Sequence, residues 1–300
     1  MPTYSERCTN NNPSPPELPE ITTMLKDQNI LLTGATGGIG KEIAELLAAE
    51  GANLILVDID SSRLGQLSRA INGTDGKNIR TVEADLGISR DRDELAVLIY
   101  DNYPHLDVLI NCAGINEFAL FSDLAEEAME KIINVNITAP LLLTRMLLPL
   151  LEKSEHGQIV NFGSTFGSIG YPGFVTYSAT KFAMRGFSEA LRRELAKTRI
   201  SVSYIAPRAT RTAINSGPVY AMNSALGVKM DEPRSVALEV LAVVKAGRPV
   251  NKYLGWPEKL FVRINQLLPG LVDGSLRKQL DTIIHYAGAP QKPEPMEKLS

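Results

Sequence analysis

Cysteine is scarce in this 300-residue chain, which has two: Cys8 in a polar stretch and Cys112 at the end of an apolar run. Two thiols in such unlike surroundings make neither a disulfide framework nor a metal ligand set, and they suit a reducing cytoplasm, the expected compartment. Histidine is equally thin. His105, His156 and His285 lie on unrelated segments, with no H-E-x-x-H pattern and no paired cysteines, so no metal is expected. A surplus of charge is missing too: 31 Lys and Arg against 34 Asp and Glu leave a formal net charge of -3. That balance gives no general electrostatic case for a nucleic-acid partner. The one basic run, "LRRELAKTR" (Leu191–Arg199), reads as the solvated face of a packed helix. The opening "MPTYSERCTNNNPSPPELPEIT" has neither a cationic start nor an apolar segment, so neither a signal peptide nor a membrane anchor is expected there, and no transmembrane segment overall.

What is present is a core and a rhythm. Apolar residues make up 44% of the chain, enough for a sizeable interior. Between a Pro-rich polar tail over 1–24 and another over 288–300, both expected to be disordered, short β-rich runs alternate with helical patterns. "NILLT", "NLILVD", "NIRTVEAD", "LDVLINCAG", "GQIVNFGS" and "RISVSYIAP" read as strands, and a last short one is expected near Val250–Leu254. Helices are expected near Asp123–Leu148, Val175–Thr198 and Pro233–Ala246, among others. Strands that are apolar almost throughout, alternating with helices, predict an α/β fold with a mainly parallel sheet covered on both faces. With no internal repeat or composition break, residues 25–287 are expected to be a single domain.

"TGATGGIG" (Thr33–Gly40) directly follows the first strand and opens the first helix. Glycines there let the backbone turn tightly and approach a ligand, while the helix start offers free N–H groups to a pyrophosphate. The spacing is G-x-x-x-G-x-G on Gly34, Gly38 and Gly40, neither a G-x-G-x-x-G nor a P-loop. Asp58 ends the second strand, where a carboxylate would accept hydrogen bonds from an adenosine ribose and repel a 2′-phosphate. With no cation at Ile59 or Gly37, NAD is expected in preference to NADP. Asp60 is expected to cap the following helix, and Asp85, at the end of the third strand, to meet the adenine edge. Asn111–Gly114 bring small residues to the fourth strand end, where bulk would collide with a dinucleotide.

Tyr177 and Lys181 stand four apart in "YSATK", on one face of a predicted helix. A free phenol has a pKa near 10, and a neighbouring ammonium favours the phenolate, so Lys181 is expected to lower it. Ser164 closes the fifth strand, and its hydroxyl would hold a substrate oxygen beside the phenol. Asn136, in "INVNITAP", is expected to interrupt a long helix and help a water chain reach Lys181.

Taken together, "TGATGGIG", "NCAG", "NVN", Ser164, "YSATK" and "PRATRT" make the sequence resemble the classical short-chain dehydrogenase/reductase family, over about Asp27 to Leu254. The resemblance implies a three-layer Rossmann-like fold with seven strands, usually in a homodimer or homotetramer. It implies a catalytic set of Asn136 (proton-relay water), Ser164 (substrate orientation), Tyr177 (proton exchange) and Lys181 (tuning the phenol and touching the nicotinamide ribose). It places the cofactor against Gly34, Thr36, Gly38, Ile39, Gly40, Asp58, Asp85, Leu86, Asn111, Ala113, Gly114, Tyr177, Lys181, Pro207 and Thr212. The chain departs from the family where Pro-Gly is usual: Pro207 is followed by Arg208. The arginine would pair with pyrophosphate, with an anionic substrate group or with a carboxylate at an interface, or else point to solvent.

Residues 214–230 occupy the place of a mobile substrate lid, and Phe118, Phe166, Tyr171, Tyr220, Met222 and Leu226 are candidates for an apolar pocket. The amphipathic segment 258–286 would cover the active-site mouth, wrap a second subunit or lie on a membrane surface. The leading function is an NAD-dependent oxidoreductase acting on an apolar alcohol or ketone. The alternatives are an epimerase or dehydratase that uses bound NAD transiently, and a non-catalytic dinucleotide-sensing interaction protein.

Overall fold

The computed structural model describes residues 25–72 and 78–288, so the expected tails, apart from Gly288, lie outside the described residues. Seven strands form one sheet: β1 (Asn29–Thr33), β2 (Asn53–Asp58), β3 (Ile79–Glu83), β4 (Val108–Asn111), β5 (Gln158–Phe162), β6 (Ser201–Ala206) and β7 (Asn251–Tyr253). Their order is β3-β2-β1-β4-β5-β6-β7 and every pairing is parallel. The α/β expectation holds, and the reason is visible residue by residue. Ile30 and Leu32 point to one face and Leu31 to the other, as Leu54 and Leu56 oppose Ile55 and Val57, and each set is buried in its own core cluster.

Helices α1 (Gly38–Ala49), α2 (Ser61–Asn72) and α8 (Pro233–Ala246) close the first face. Helices α3 (Ser89–Asn102), α5 (Ala139–Glu152) and α6 (Val175–Glu194) close the second. Asp60 caps α2 as expected, its carboxylate accepting from the Arg63 N–H at 2.9 Å. Strand β3 stops at Glu83, so Asp85 stands in the loop beyond the strand, a correction to its expected place at the strand end.

The long helix expected near Asp123–Leu148 runs instead from α4 (Glu126–Ile133) through a π-helical turn (Asn134–Thr138) into α5. Asn136 sits in that wide turn, which interrupts the α-helix where the sequence led one to expect it. By length and composition the run Glu126–Glu152 would be long and apolar enough to cross a bilayer. Here Leu143, Leu147, Leu150 and Leu151 are fully inside the core, packed on the sheet and α3.

The chain after β6 adds α7 (Gly217–Ala225), within the expected lid, and two helices after β7, α9 (Glu258–Leu267) and α10 (Pro269–Ala287). Helix α10 packs on α9 and on α7.

Candidate active site

The chain leaves β1 in one direction and β4 in the other, which opens a crevice at their carboxyl ends. Gly34 turns out of β1 with φ +68°, and a Cβ on it would lie 2.7 Å from the Cα of Ala113. Only glycine adopts that conformation cheaply, and only glycine lets the two strand exits pass so closely. A Cβ on Gly40 would lie 2.0 Å from the Gly34 carbonyl oxygen, so the first turn of α1 rests directly on the loop. Gly37 precedes α1 without any side-chain cap, leaving the N–H groups of Gly38, Ile39 and Gly40 for a ligand. Thr212 lies over this helix start, its methyl 2.7 Å from where a Gly38 Cβ would stand. A glycine cradle, an uncapped helix start and an opposing threonine fit a pyrophosphate.

At the end of β2 the Asp58 carboxylate accepts from the Thr36 N–H and the Ile59 N–H, both at 2.8 Å, which fixes its orientation beside the loop. Asp85 accepts from Gly87 N–H at 2.8 Å. The Leu86 side chain is buried, while its carbonyl takes a 2.6 Å bond from Arg92. Asn111 lies inside the sheet and donates to Thr144 Oγ1 and Asn161 Oδ1, so its side chain ties strands together. Pro207 is buried after β6, its carbonyl accepting from Thr165. The cofactor candidates therefore line one edge of the sheet, with Asn111 and Leu86 contributing side chains to the interior.

Helix α6 carries Tyr177 and Lys181 and is bound to the sheet along its length, with Arg192 donating to the Val202 carbonyl of β6 at 2.7 Å. Asn161 of β5 donates to Ser188 Oγ at 2.9 Å, and Lys181 Nζ donates to the Phe162 carbonyl at 3.1 Å. Lys181 Nζ lies 5.5 Å from the centre of the Tyr177 ring. Asn136 is 1% exposed and bonds both main-chain groups of Ile115, N–H at 2.8 Å and C=O at 2.9 Å, and also Thr180 Oγ1 at 3.2 Å. A Cβ on Gly114 would stand 3.4 Å from Asn136 Oδ1 and 3.5 Å from Lys181 Nζ, so Asn136, Lys181 and the β4 exit converge. Thr180, absent from the sequence-based set, joins Asn136 to α6, and its hydroxyl donates to the Tyr177 carbonyl at 2.7 Å. Its place between Tyr177 and Lys181 was the only available signal.

Burial reverses the expected electrostatics among the protein's own groups. Desolvation pushes the Tyr177 phenol up to about 12, against a smaller lowering by its hydrogen bond to Ser164. Desolvation also pulls Lys181 down to about 8. The ammonium is itself costly to bury, so it does not hold the phenol below its ordinary value. A stability signature follows, since between about pH 8 and 10.5 the unfolded chain binds a lysine proton that the folded chain has released, and stability rises with pH across that window. At pH 7 the buried ammonium costs on the order of 3 kcal/mol. Lys181→Met removes that cost but strands the Phe162 carbonyl, for a net gain of about 1–2 kcal/mol. Denaturant midpoints are expected to be higher than wild type at pH 7 and close to it at pH 10; an equal offset at both values refutes the assignment.

The phenol faces an aromatic wall. Phe118 and Phe174 stack at 4.9 Å, Phe166 and Tyr171 at 4.7 Å, and the rings of Phe166 and Phe174 lie 6.4 and 6.3 Å from Tyr177. Met222 and Leu226 from the lid join this cluster, as do Ile283 and Tyr286 of α10. Five of the six pocket candidates meet here. Tyr220 instead turns to the Thr212 carbonyl at 3.2 Å. Phe174, Ile283 and Tyr286 were not singled out in the sequence, because nothing in it brings α10 to this end of the sheet. Within this chain, α10 packs Ile283 and Tyr286 against the cluster that holds Tyr177.

Arg208 is neither solvated nor free to reach a pyrophosphate. Its side chain is 13% exposed and clamps Asp231 at 2.6 Å, Glu258 at 3.1 Å and the Trp256 carbonyl at 3.0 Å. The solvent reading is thus corrected: the arginine ties the segment after β6 to the loop before α8 and to the start of α9. Two carboxylates from distant segments decide this, and no local pattern predicts them. No group of three or more His, Cys, Asp or Glu that could hold a metal occurs among the described residues.

A family model described as short chain dehydrogenase matches residues 28–219. The chain belongs to that family. The match stops within α7, short of the C-terminal helices α9 and α10. Among curated relatives, the 3-oxoacyl-[acyl-carrier-protein] reductase FabG of Thermotoga maritima is 33% identical over 225 residues, 72% of this chain and 90% of that one. The mouse dehydrogenase/reductase SDR family member 7B is 31% identical over 256 residues, 82% of this chain and 79% of that one. A short chain dehydrogenase structure from Shigella flexneri, complexed with NADP, is 29% identical with a TM-score of 0.66 and covers 77% of this chain and 98% of its own. The family assignment makes this short chain dehydrogenase an oxidoreductase with a site for NAD or NADP.

Proposed function

We propose that the chain is an NAD-dependent oxidoreductase for an apolar alcohol or ketone, a single catalytic domain over 25–287 that works as a homo-oligomer in the cytoplasm. The observation that carries the reading is the position of Tyr177. Its hydroxyl lies on the Ser164 side of the site, its helix holds Lys181 beneath its ring, and its other side is an aromatic wall beside the glycine crevice. When bound, a nicotinamide dinucleotide would supply the two-electron redox chemistry, held by Gly34, the α1 start, Asp58, Lys181 and Thr212.

The chain's own groups manage the oxygen and its proton. Ser164 orients the substrate oxygen, and Tyr177 gives it a proton in reduction or takes one in oxidation. A phenol that burial pushes up to about 12 keeps its proton at neutral pH, which suits the acid of ketone reduction. The oxidation direction needs added positive charge at the site to make phenolate accessible. Asn136 and Thr180 keep the β4 exit and α6 in register, and in the proposed reaction Asn136 helps hold a relay water near Lys181.

Asp58 supports NAD over NADP. The Shigella relative holds NADP, whereas here a carboxylate pinned by two main-chain N–H groups stands where a ribose phosphate would be repelled. In Asp58→Ala the Kd for NAD is expected to rise about ten- to a hundredfold, the worth of a charge-assisted hydrogen bond, while the Kd for NADP falls. Titration of both dinucleotides reads this directly, and unchanged affinities for the two would refute the preference. Build-up of NADH with an alcohol substrate tests the oxidoreductase reading itself; an epimerase, a dehydratase or a silent sensor would accumulate none.

A further inference from the structure

Helix α9 is apolar on the wrong side. Its packed side is fixed by Val262, which is buried, by Asn265, which donates to the Ser168 carbonyl at 2.8 Å, and by Glu258 in the Arg208 clamp. At about 100° per residue, Leu260 and Leu267 lie on the face opposite those three. A helix on a water-facing surface carries polar residues there. Here Leu267 is 80% exposed, and beyond the bend into α10 Leu268 and Leu271 are 58% and 64% exposed. Trp256 and Phe261 stand exposed at the other end of the patch, the tryptophan at 68%. Six large apolar side chains are thus exposed along α9 and around its bend into α10, outside the part of the chain that the family model matches.

Along α9 the free charge beside them is of one sign, the nearest exposed carboxylate in α10 being Asp273. Lys259 and Arg263, four residues apart, are exposed on the edge of the leucine face, and neither has an ion pair among the described residues. Glu258 is the only carboxylate between residues 256 and 271, and Arg208 holds it.

We propose that the α9–α10 elbow docks on an anionic lipid surface, its leucines and Trp256 entering the headgroup boundary while Lys259 and Arg263 meet the lipid charge. An exposed tryptophan, a leucine face and flanking cations are the chemistry of an interfacial helix. A second copy of this chain fits the patch less well. Six side chains fall far short of the roughly 20–30 residues a side of a stable interface. A two-fold contact would also bring the cations of both copies together with no free α9 carboxylate to meet them.

Docking here has a geometric consequence for the site. Helix α10 begins at the elbow and ends in the aromatic cluster around Tyr177, with Leu271 and Ile283 about 18 Å apart along its axis. The surface that meets lipid therefore adjoins the start of the helix whose far end packs into the aromatic cluster. Supply of an apolar substrate from the bilayer rests on the proposed function; the docking does not.

Trp256 is the only tryptophan in the chain, so its emission reports on the elbow directly. The full chain is mixed with vesicles of phosphatidylcholine and phosphatidylserine, or of phosphatidylcholine alone, and followed by fluorescence and co-sedimentation. The expected result is a blue shift and pelleting with the anionic vesicles, weakened by salt. Partition falls about thirtyfold in the double variant Lys259→Ala/Arg263→Ala, the loss of two surface cations. It disappears in Leu267→Asp/Leu271→Asp, which keeps wild-type turnover of a water-soluble ketone and wild-type mass in solution. Unshifted emission with anionic vesicles overturns the proposal, as does full binding by the aspartate variant. A change in oligomeric mass in that variant, with vesicle partition unchanged, assigns the patch to a second copy and overturns it as well. Failure of docking with ketone turnover intact leaves the proposed function standing, and loss of turnover with docking intact does the reverse.

Discussion

Tyr177→Phe is expected to cut kcat by about a hundred- to ten-thousandfold, the usual contribution of a positioned acid or base. The phenyl ring keeps the packing against Phe166 and Phe174, so the aromatic wall stays assembled. What goes is the hydroxyl, and with it the proton that neutralises the oxygen as the carbon is reduced. The Kd for NAD is expected within about twofold of wild type, and stability within about 1 kcal/mol, the worth of one hydrogen bond. Single-turnover absorbance at the nicotinamide band, together with an independent dinucleotide titration, separates chemistry from binding. A kcat within about threefold of wild type would remove Tyr177 from the reaction, since acid–base catalysis of even the weakest usual size exceeds that.

Gly40→Ala carries the second large effect, on structure and cofactor together. The new methyl would lie 2.0 Å from the Gly34 oxygen and 3.1 Å from the Ala35 Cα, all main-chain atoms with no rotamer to yield. Helix α1 must then move off the loop, and Gly34 has no room to follow because Ala113 stands behind it. Overpacking of this kind costs about 1–3 kcal/mol or more. The N–H groups of the α1 start move with the helix, and a displacement near 1 Å is expected to weaken NAD binding about a hundredfold. The control is Gly274→Ala in α10, where a Cβ meets nothing within 4 Å. That substitution is expected to stabilise the protein by up to about 1 kcal/mol by helix propensity alone. Thermal melts and NAD titrations of both variants check the contrast; equal behaviour would mean that the glycine at position 40 is a turn preference and not a steric necessity.

Much of the fold and of the site core was legible because both rest on local patterns. A parallel sheet covered on both faces requires strands apolar on both faces, and "NLILVD" or "LDVLINCAG" cannot hide that. The tyrosine–lysine pair is a helical spacing of four, and the glycine loop announces itself by where it falls between a strand and a helix. The π-turn at Asn136 was legible only as an interruption; the partners its side chain holds there, Ile115 and Thr180, lie 21 and 44 residues away. The direction of the Tyr177 shift was misjudged for a similar reason. A spacing of four says that a lysine can approach a tyrosine, whereas the net charge effect depends on how much water is left around both.

From residue order alone came the α/β architecture, the glycine crevice and the side chains proposed to handle the proton, because each is encoded in neighbours a few positions apart. Folding settled what depends on partners far along the chain. Arg208 met Asp231 and Glu258, 23 and 50 residues away, and so became a clamp. Helix α10 reached back across the sheet to close the aromatic pocket around Tyr177, leaving leucines on the outer face of α9. Local periodicity records which faces are apolar, and three-dimensional packing selects which of them are covered.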